Sequence, residues 1–123
     1  MNVSNQTLIS SMAAMGGGIA SSGGPCGALI GAVAFMGSLL GKQEPQVKDN
    51  PVMWRACYTI YKRFETEIAA KYDSVNCKDI AGVDWKNRDQ VKNFYKGKGR
   101  YVCADNTGMT ARILGEVLEK YIK

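Results

Sequence analysis

The chain has 123 residues, the size of one domain, with 16 Lys+Arg against 11 Asp+Glu and a formal charge of +5. It contains no histidine, which excludes Ser-His-Asp and Cys-His catalysis, histidine-ligated zinc and haem on a proximal histidine of this chain. Every charged residue lies from Lys42 onward, so Met1 to Gly41 is a charge-free stretch.

Taken in chain order, Ser4 to Met15 reads as a short helix capped by Ser4, with Leu8, Ile9, Met12 and Met15 at helical spacing and Gly16-Gly17-Gly18 as its stop. After the turn Ser21-Ser22-Gly23-Gly24, a second helix is expected from Pro25 to about Leu40, stopped by Gly41. It is apolar on all sides, which predicts burial in a core, at an interface or in lipid. Its repeated glycines, Gly27, Gly31, Gly37 and Gly41, predict close backbone approach by a second element, either the last helix or a second copy of the chain. A membrane span needs about 20 predominantly apolar residues. Pro25 to Leu40 falls short of that, so no membrane span is expected.

Asn50-Pro51 is a helix start, a capping side chain followed by proline. The third helix should run to about Tyr72, with Met53, Cys57, Ile60, Phe64 and Ile68 on one apolar face. Ser74 to Ala81 and Asp84 to Tyr95 read as short helices, the second turning Val91 and Phe94 inward. Lys96-Gly97-Lys98-Gly99-Arg100 reads as a basic loop, and the last helix runs from Tyr101 or Asn106 to Lys123 on a stripe that includes Met109, Ile113 and Val117. No segment sustains period-two alternation and no repeat is present, so the expected fold is a single all-α domain over residues 1–123, a small bundle around a buried glycine-rich helix.

The chemistry rests on Cys26, Cys57, Cys77 and Cys103. None forms a Cys-x-x-Cys pair, which excludes a thioredoxin motif and an ordinary zinc ribbon. A globule of this length buries a core without disulfide staples. The N-terminus has neither a basic n-region nor an Ala-x-Ala cleavage pattern, so a cytoplasmic location with reduced thiols is expected. Cys26 opens the second helix, where the dipole and unpaired amides favour thiolate. Cys77 lies at a predicted helix start, and Cys103 follows Lys98 and Arg100, whose charges are expected to favour its thiolate. Cys57 falls on a packing face and reads first as core. The basic loop, flanked by Tyr95 and Tyr101, lacks the Gly-Lys-Ser/Thr ending of a phosphate loop. It reads as a solvated turn or a dock for an acidic redox partner, and no nucleic-acid binding is expected.

The charge-free glycine-rich text leading into Gly24-Pro25-Cys26-Gly27-Ala28-Leu29-Ile30-Gly31 resembles the family of redox proteins named for the cysteine pattern C–GCAxxG–C–C. It also resembles the non-haem module of the split-Soret cytochromes c. The likeness runs from about Met12 to the C-terminus, with Cys26 as the motif cysteine, Cys77 as the cysteine after the Phe64 helix and Cys103 as the last. Two departures stand out. The family's N-terminal helix, which carries its first cysteine, is expected to be missing, and Cys57 has no counterpart. The haem-attachment Cys-x-x-Cys-His is absent, so haem does not carry over. The resemblance implies a redox role with iron–sulfur ligation, and the expectation is electron transfer with an unidentified redox partner protein through a [2Fe–2S] cluster held by Cys26, Cys77 and Cys103; the glycine-rich second helix adds the expectation of a homodimer. The fourth ligand would be Cys57, a carboxylate or a group from a second subunit. A metal-free thiol–disulfide couple and a structural or regulatory interaction module with four core thiols stay open beside it.

Overall fold

The computed structural model describes residues 5–122; Ser4, the expected first cap, lies outside them. Asn5 caps instead, its side chain accepting from the Leu8 amide at 2.9 Å. Helix α1 spans Gln6–Ser11 and tightens into a 3-10 turn over Met12–Met15. Helix α2 is Gly27–Leu40, and α3 is Pro51–Glu67 with a 3-10 turn over Ala69–Tyr72. Helices α4 (Cys77–Ala81), α5 (Arg88–Lys96) and α6 (Gly99–Tyr121) follow. The fold is all-α, as expected, and no helix among the described residues is long and apolar enough to cross a membrane.

The core lies where α2, α3 and α6 meet. Leu29, Ala32 and Met36 of α2 pack with Ala56, Ile60 and Phe64 of α3 and with Ile113 and Val117 of α6. The α3 stripe follows from its cap: Asn50 accepts from the Val52 amide at 2.9 Å and Pro51 opens the helix, which fixes the register that turns Ile60 and Phe64 inward. Helices α4 and α5 are short, and both lean on α6.

Three expectations change. The glycine-rich helix is half-buried: only Leu29, Ala32 and Met36 of α2 are fully covered. A Cβ at Gly31 or Gly37 would meet nothing within 4 Å, so those positions show no close backbone approach inside the chain. At Gly27 the approach is real, with the Met15 carbonyl 3.0 Å from where a Cβ would sit. Proline does not open α2 either. Pro25 faces Asn76 in an isolated antiparallel bridge, and α2 begins two residues later. The basic loop shrinks to Gly97-Lys98, because α6 already starts at Gly99, against the Phe94 ring.

Between the 3-10 turn and Pro25 the backbone adopts a left-handed run. Gly17, Gly18, Ile19, Ala20 and Ser21 all have φ between +51° and +72°. Left-handed conformation costs a non-glycine residue roughly 1–2 kcal/mol, and a β-branched one is least suited to it. Ile19 therefore holds its conformation under constraint. Hydrogen bonds on both sides supply it, from the Ala20 amide to the Ala14 carbonyl (2.7 Å) and from the Gly24 amide to the Gly18 carbonyl (2.9 Å).

Candidate redox site

The left-handed run ends in a clasp between two distant segments. The Cys26 amide donates to the Val75 carbonyl at 2.9 Å and the Cys77 amide to the Gly24 carbonyl at 2.6 Å, flanking the Pro25–Asn76 bridge. Proline has no N–H, so the bonds fall on its neighbours. The clasp sets the first residue of α4, Cys77, beside the residue that caps α2, Cys26. Gly18 lies against this joint: a Cβ there would stand 2.6 Å from the Gly24 nitrogen and 2.8 Å from the Cys77 Cβ.

The third thiol comes from α6. Cys103, Asn106, Thr110, Ile113 and Val117 step by three and four, so one helix face runs from the core into the site. Cys26, Cys77 and Cys103 together line a cavity of about 210 Å³, walled further by Trp85, Phe94 and Asn106. Helix packing thus brings three of the four sequence candidates to one place. Cys57 is not among them. Its Sγ points at the Val33 carbonyl, 3.9 Å away, at the α2–α3 contact. All four cysteines are free thiols. Among the described residues, as they are placed, no three Cys, Asp or Glu side chains stand close enough to hold a metal ion.

Two site residues escaped the sequence reading. Trp85 donates its Nε1–H to the Cys77 Sγ at 3.3 Å and meets the Phe94 ring edge-on at 5.2 Å. Asn106 is only 4% exposed, and its Nδ2 has no hydrogen-bond partner. A buried donor without an acceptor costs about 1–3 kcal/mol, so an amide left in that state beside three thiols points to an acceptor that the chain itself does not supply. Asn106 was legible as the step after Cys103 on the α6 stripe. Trp85 lies in a loop and carried no such signal.

Cys77 and Cys103 are not activated as nucleophiles. Burial pushes Cys103 up from the ordinary thiol range, and the neighbouring sulfurs of Cys77 and Cys26 push it further. The nearby basic residues, expected to favour its thiolate, do not set its titration. Burial also raises Cys77, opposed by the Trp85 N–H and reinforced by Cys26. Burial alone raises Cys57. Groups raised in this way stabilise the fold while protonated and lose that contribution as pH climbs through and above the ordinary thiol range.

Asn106→Leu tests the orphan donor. The substitution is nearly isosteric and removes the unsatisfied amide, so the metal-free protein should gain about 1–3 kcal/mol in denaturant unfolding. A loss of stability would show that Asn106 is satisfied in solution.

The family model described as "Putative redox-active protein (C_GCAxxG_C_C)" matches residues 1–117, starting eleven residues before the likeness read from the motif. Among the curated proteins and the solved structures compared, none matches.

Proposed function

The chain belongs to the C_GCAxxG_C_C family of redox-active proteins, and from that premise we propose that its cavity is an iron–sulfur redox centre held by Cys26, Cys77 and Cys103. One observation carries the reading: three thiols from three separate helices line one cavity together with a buried amide donor that lacks an acceptor.

The donor set fits the group. Thiolates are the ordinary ligands of iron–sulfur clusters. The Asn106 Nδ2 and Trp85 Nε1 donors are of the kind that hydrogen-bond to cluster or ligand sulfur and raise its potential. When bound, such a cluster supplies one-electron transfer. The chain's own part is to hold the sulfurs, give the cavity apolar walls with Phe94 and Ile80, and orient Cys77 through Trp85. Loading deprotonates the thiols, so affinity should rise with pH as the raised thiols give up protons. As placed, the three sulfurs do not converge on one metal position, so loading would require these side chains to turn. Cys57 is turned away and, among the described residues, no carboxylate lines the cavity, which leaves a group of a second copy of the chain as the fourth ligand.

A second reading is a thiol–disulfide couple between Cys26 and Cys77, favoured by the clasp that joins their backbones. The raised Cys77 thiol weighs against it, because exchange runs through thiolate. Metal binding meets the same deprotonation cost, but there the charge of the cation offsets it.

The test is anaerobic reconstitution with iron and sulfide, followed by metal and sulfide assay and a visible spectrum before and after dithionite. Stoichiometric iron and sulfide with a bleachable chromophore support the centre. Colourless, metal-free protein sinks it, and a Cys26–Cys77 disulfide in that protein, titrating with a redox buffer, establishes the second reading.

A further inference from the structure

The chain's charge is not spread evenly. Residues 86–100 hold six basic side chains, Lys86, Arg88, Lys92, Lys96, Lys98 and Arg100, against one acidic, Asp89. That excess equals the net +5 of the whole protein, so the remainder is neutral. All six are exposed, and among the described residues none forms an ion pair. Arg88, Lys92 and Lys96 follow each other at four-residue steps on α5, a like-charge spacing that destabilises a helix. Arg88 also sits at the helix N-terminus, where the dipole disfavours a cation. Only Lys96, in the last turn of α5, complements the helix dipole.

The patch stands over the thiol cavity. Tyr95 is 55% exposed among these bases, and its ring meets Phe94 at 5.2 Å and Trp85 at 6.5 Å. Trp85 donates to Cys77. An exposed aromatic ring ringed by cations is thus two contacts from a site sulfur. Arg100 adds a second amphipathic anchor, stacked on the exposed Tyr101 ring at 4.8 Å. Arginine and tyrosine are the residues that supply most of the binding energy at protein interfaces.

We infer that the α5 face, from Lys86 to Arg100, is the docking surface for an acidic one-electron carrier protein, with Tyr95 at its centre. Charge complementarity chooses the occupant: a protein with a negative patch is steered to this face, where residues 86–100 carry a concentrated positive excess that no ion pair among the described residues offsets. The carrier's class rests on the redox reading above; the surface itself does not.

Titration calorimetry of the purified protein against a flavodoxin of strongly negative net charge tests the inference. The expected result is saturable binding at low salt that fades as ionic strength rises. Lys92→Glu should weaken it by about fivefold or more, while Lys48→Glu, an equal charge change in the α2–α3 linker, should alter it less than about twofold. Equal effects of the two variants, or no saturable binding, would overturn the docking surface. So would tighter binding to a single-stranded oligonucleotide than to the flavodoxin, since the face would then read phosphate backbone. The isotherm does not depend on a cluster. Colourless protein that binds overturns only the iron–sulfur centre, and coloured protein that does not bind overturns only the docking surface.

Discussion

Cys103→Ser is expected to abolish the reconstituted chromophore and its iron and sulfide, whereas Cys57→Ala should retain all three. Changing a group that merely supports a ligand lowers metal affinity about 10–100-fold, and removing a ligand should cost at least the upper figure. Cys103 is half-buried on the cavity wall, so a hydroxyl in its place leaves α6 intact, and circular dichroism should report an unchanged helix content. Cys57 lies at the α2–α3 contact instead, and its truncation should cost about 1 kcal/mol of stability with no effect on loading. Equal loss in both variants would mean that the fold, and not the cavity, controls loading. Full loading of Cys103→Ser would remove Cys103 from the site.

Gly18→Ala carries the second large effect. Gly18 has φ +72°, and an added Cβ would press on the Gly24 backbone and on the Cys77 Cβ. Left-handed strain and steric overlap together should cost about 2–5 kcal/mol. The displaced atoms belong to the clasp that sets Cys77 beside Cys26, so loading should fall in the molecules that still fold. Gly31→Ala is the matching control. It lies inside α2 with nothing within 4 Å of the new methyl group, and it should stabilise the protein by about 0.5–1 kcal/mol. Thermal unfolding of the two variants reads both signs. A stabilising Gly18→Ala would show that the turn is not left-handed in solution.

These two glycines also mark where the sequence was readable. Helix α3 was legible because its signals are local: the Asn50 cap, Pro51 and a three-four apolar stripe. The three site thiols were legible as a set because each sits at or near a helix start or on a helix stripe and matches the family pattern. The left-handed run was not legible. Ile19 and Ala20 are poor residues for it, and backbone hydrogen bonds between residues four to six apart, which no residue type signals, override their preference. Pro25 looked like a helix opener because the bridge partner that holds it, Asn76, lies 51 positions away. The glycine spacing of α2 predicted a close-packed seam, yet packing on α3 and α6 selected Leu29, Ala32 and Met36 as the buried face and left Gly31 and Gly37 open. Asn106 and Trp85 matter through what they touch, and composition carries no trace of that.

Helix α6 is one unbroken rod of 23 residues, about 35 Å long at the usual rise. Ile113 and Val117 anchor one half of it in the core, and Cys103 and Asn106 lie on the other half at the cavity. A tie at the cavity end must therefore restrain the whole rod, and fraying at that end must loosen the core. Occupancy of the proposed centre and resistance to unfolding would then be two readings of one equilibrium. On the proposed iron–sulfur reading, a cell starved of iron would lose both the centre and the chain, because the unloaded rod would be open to proteases.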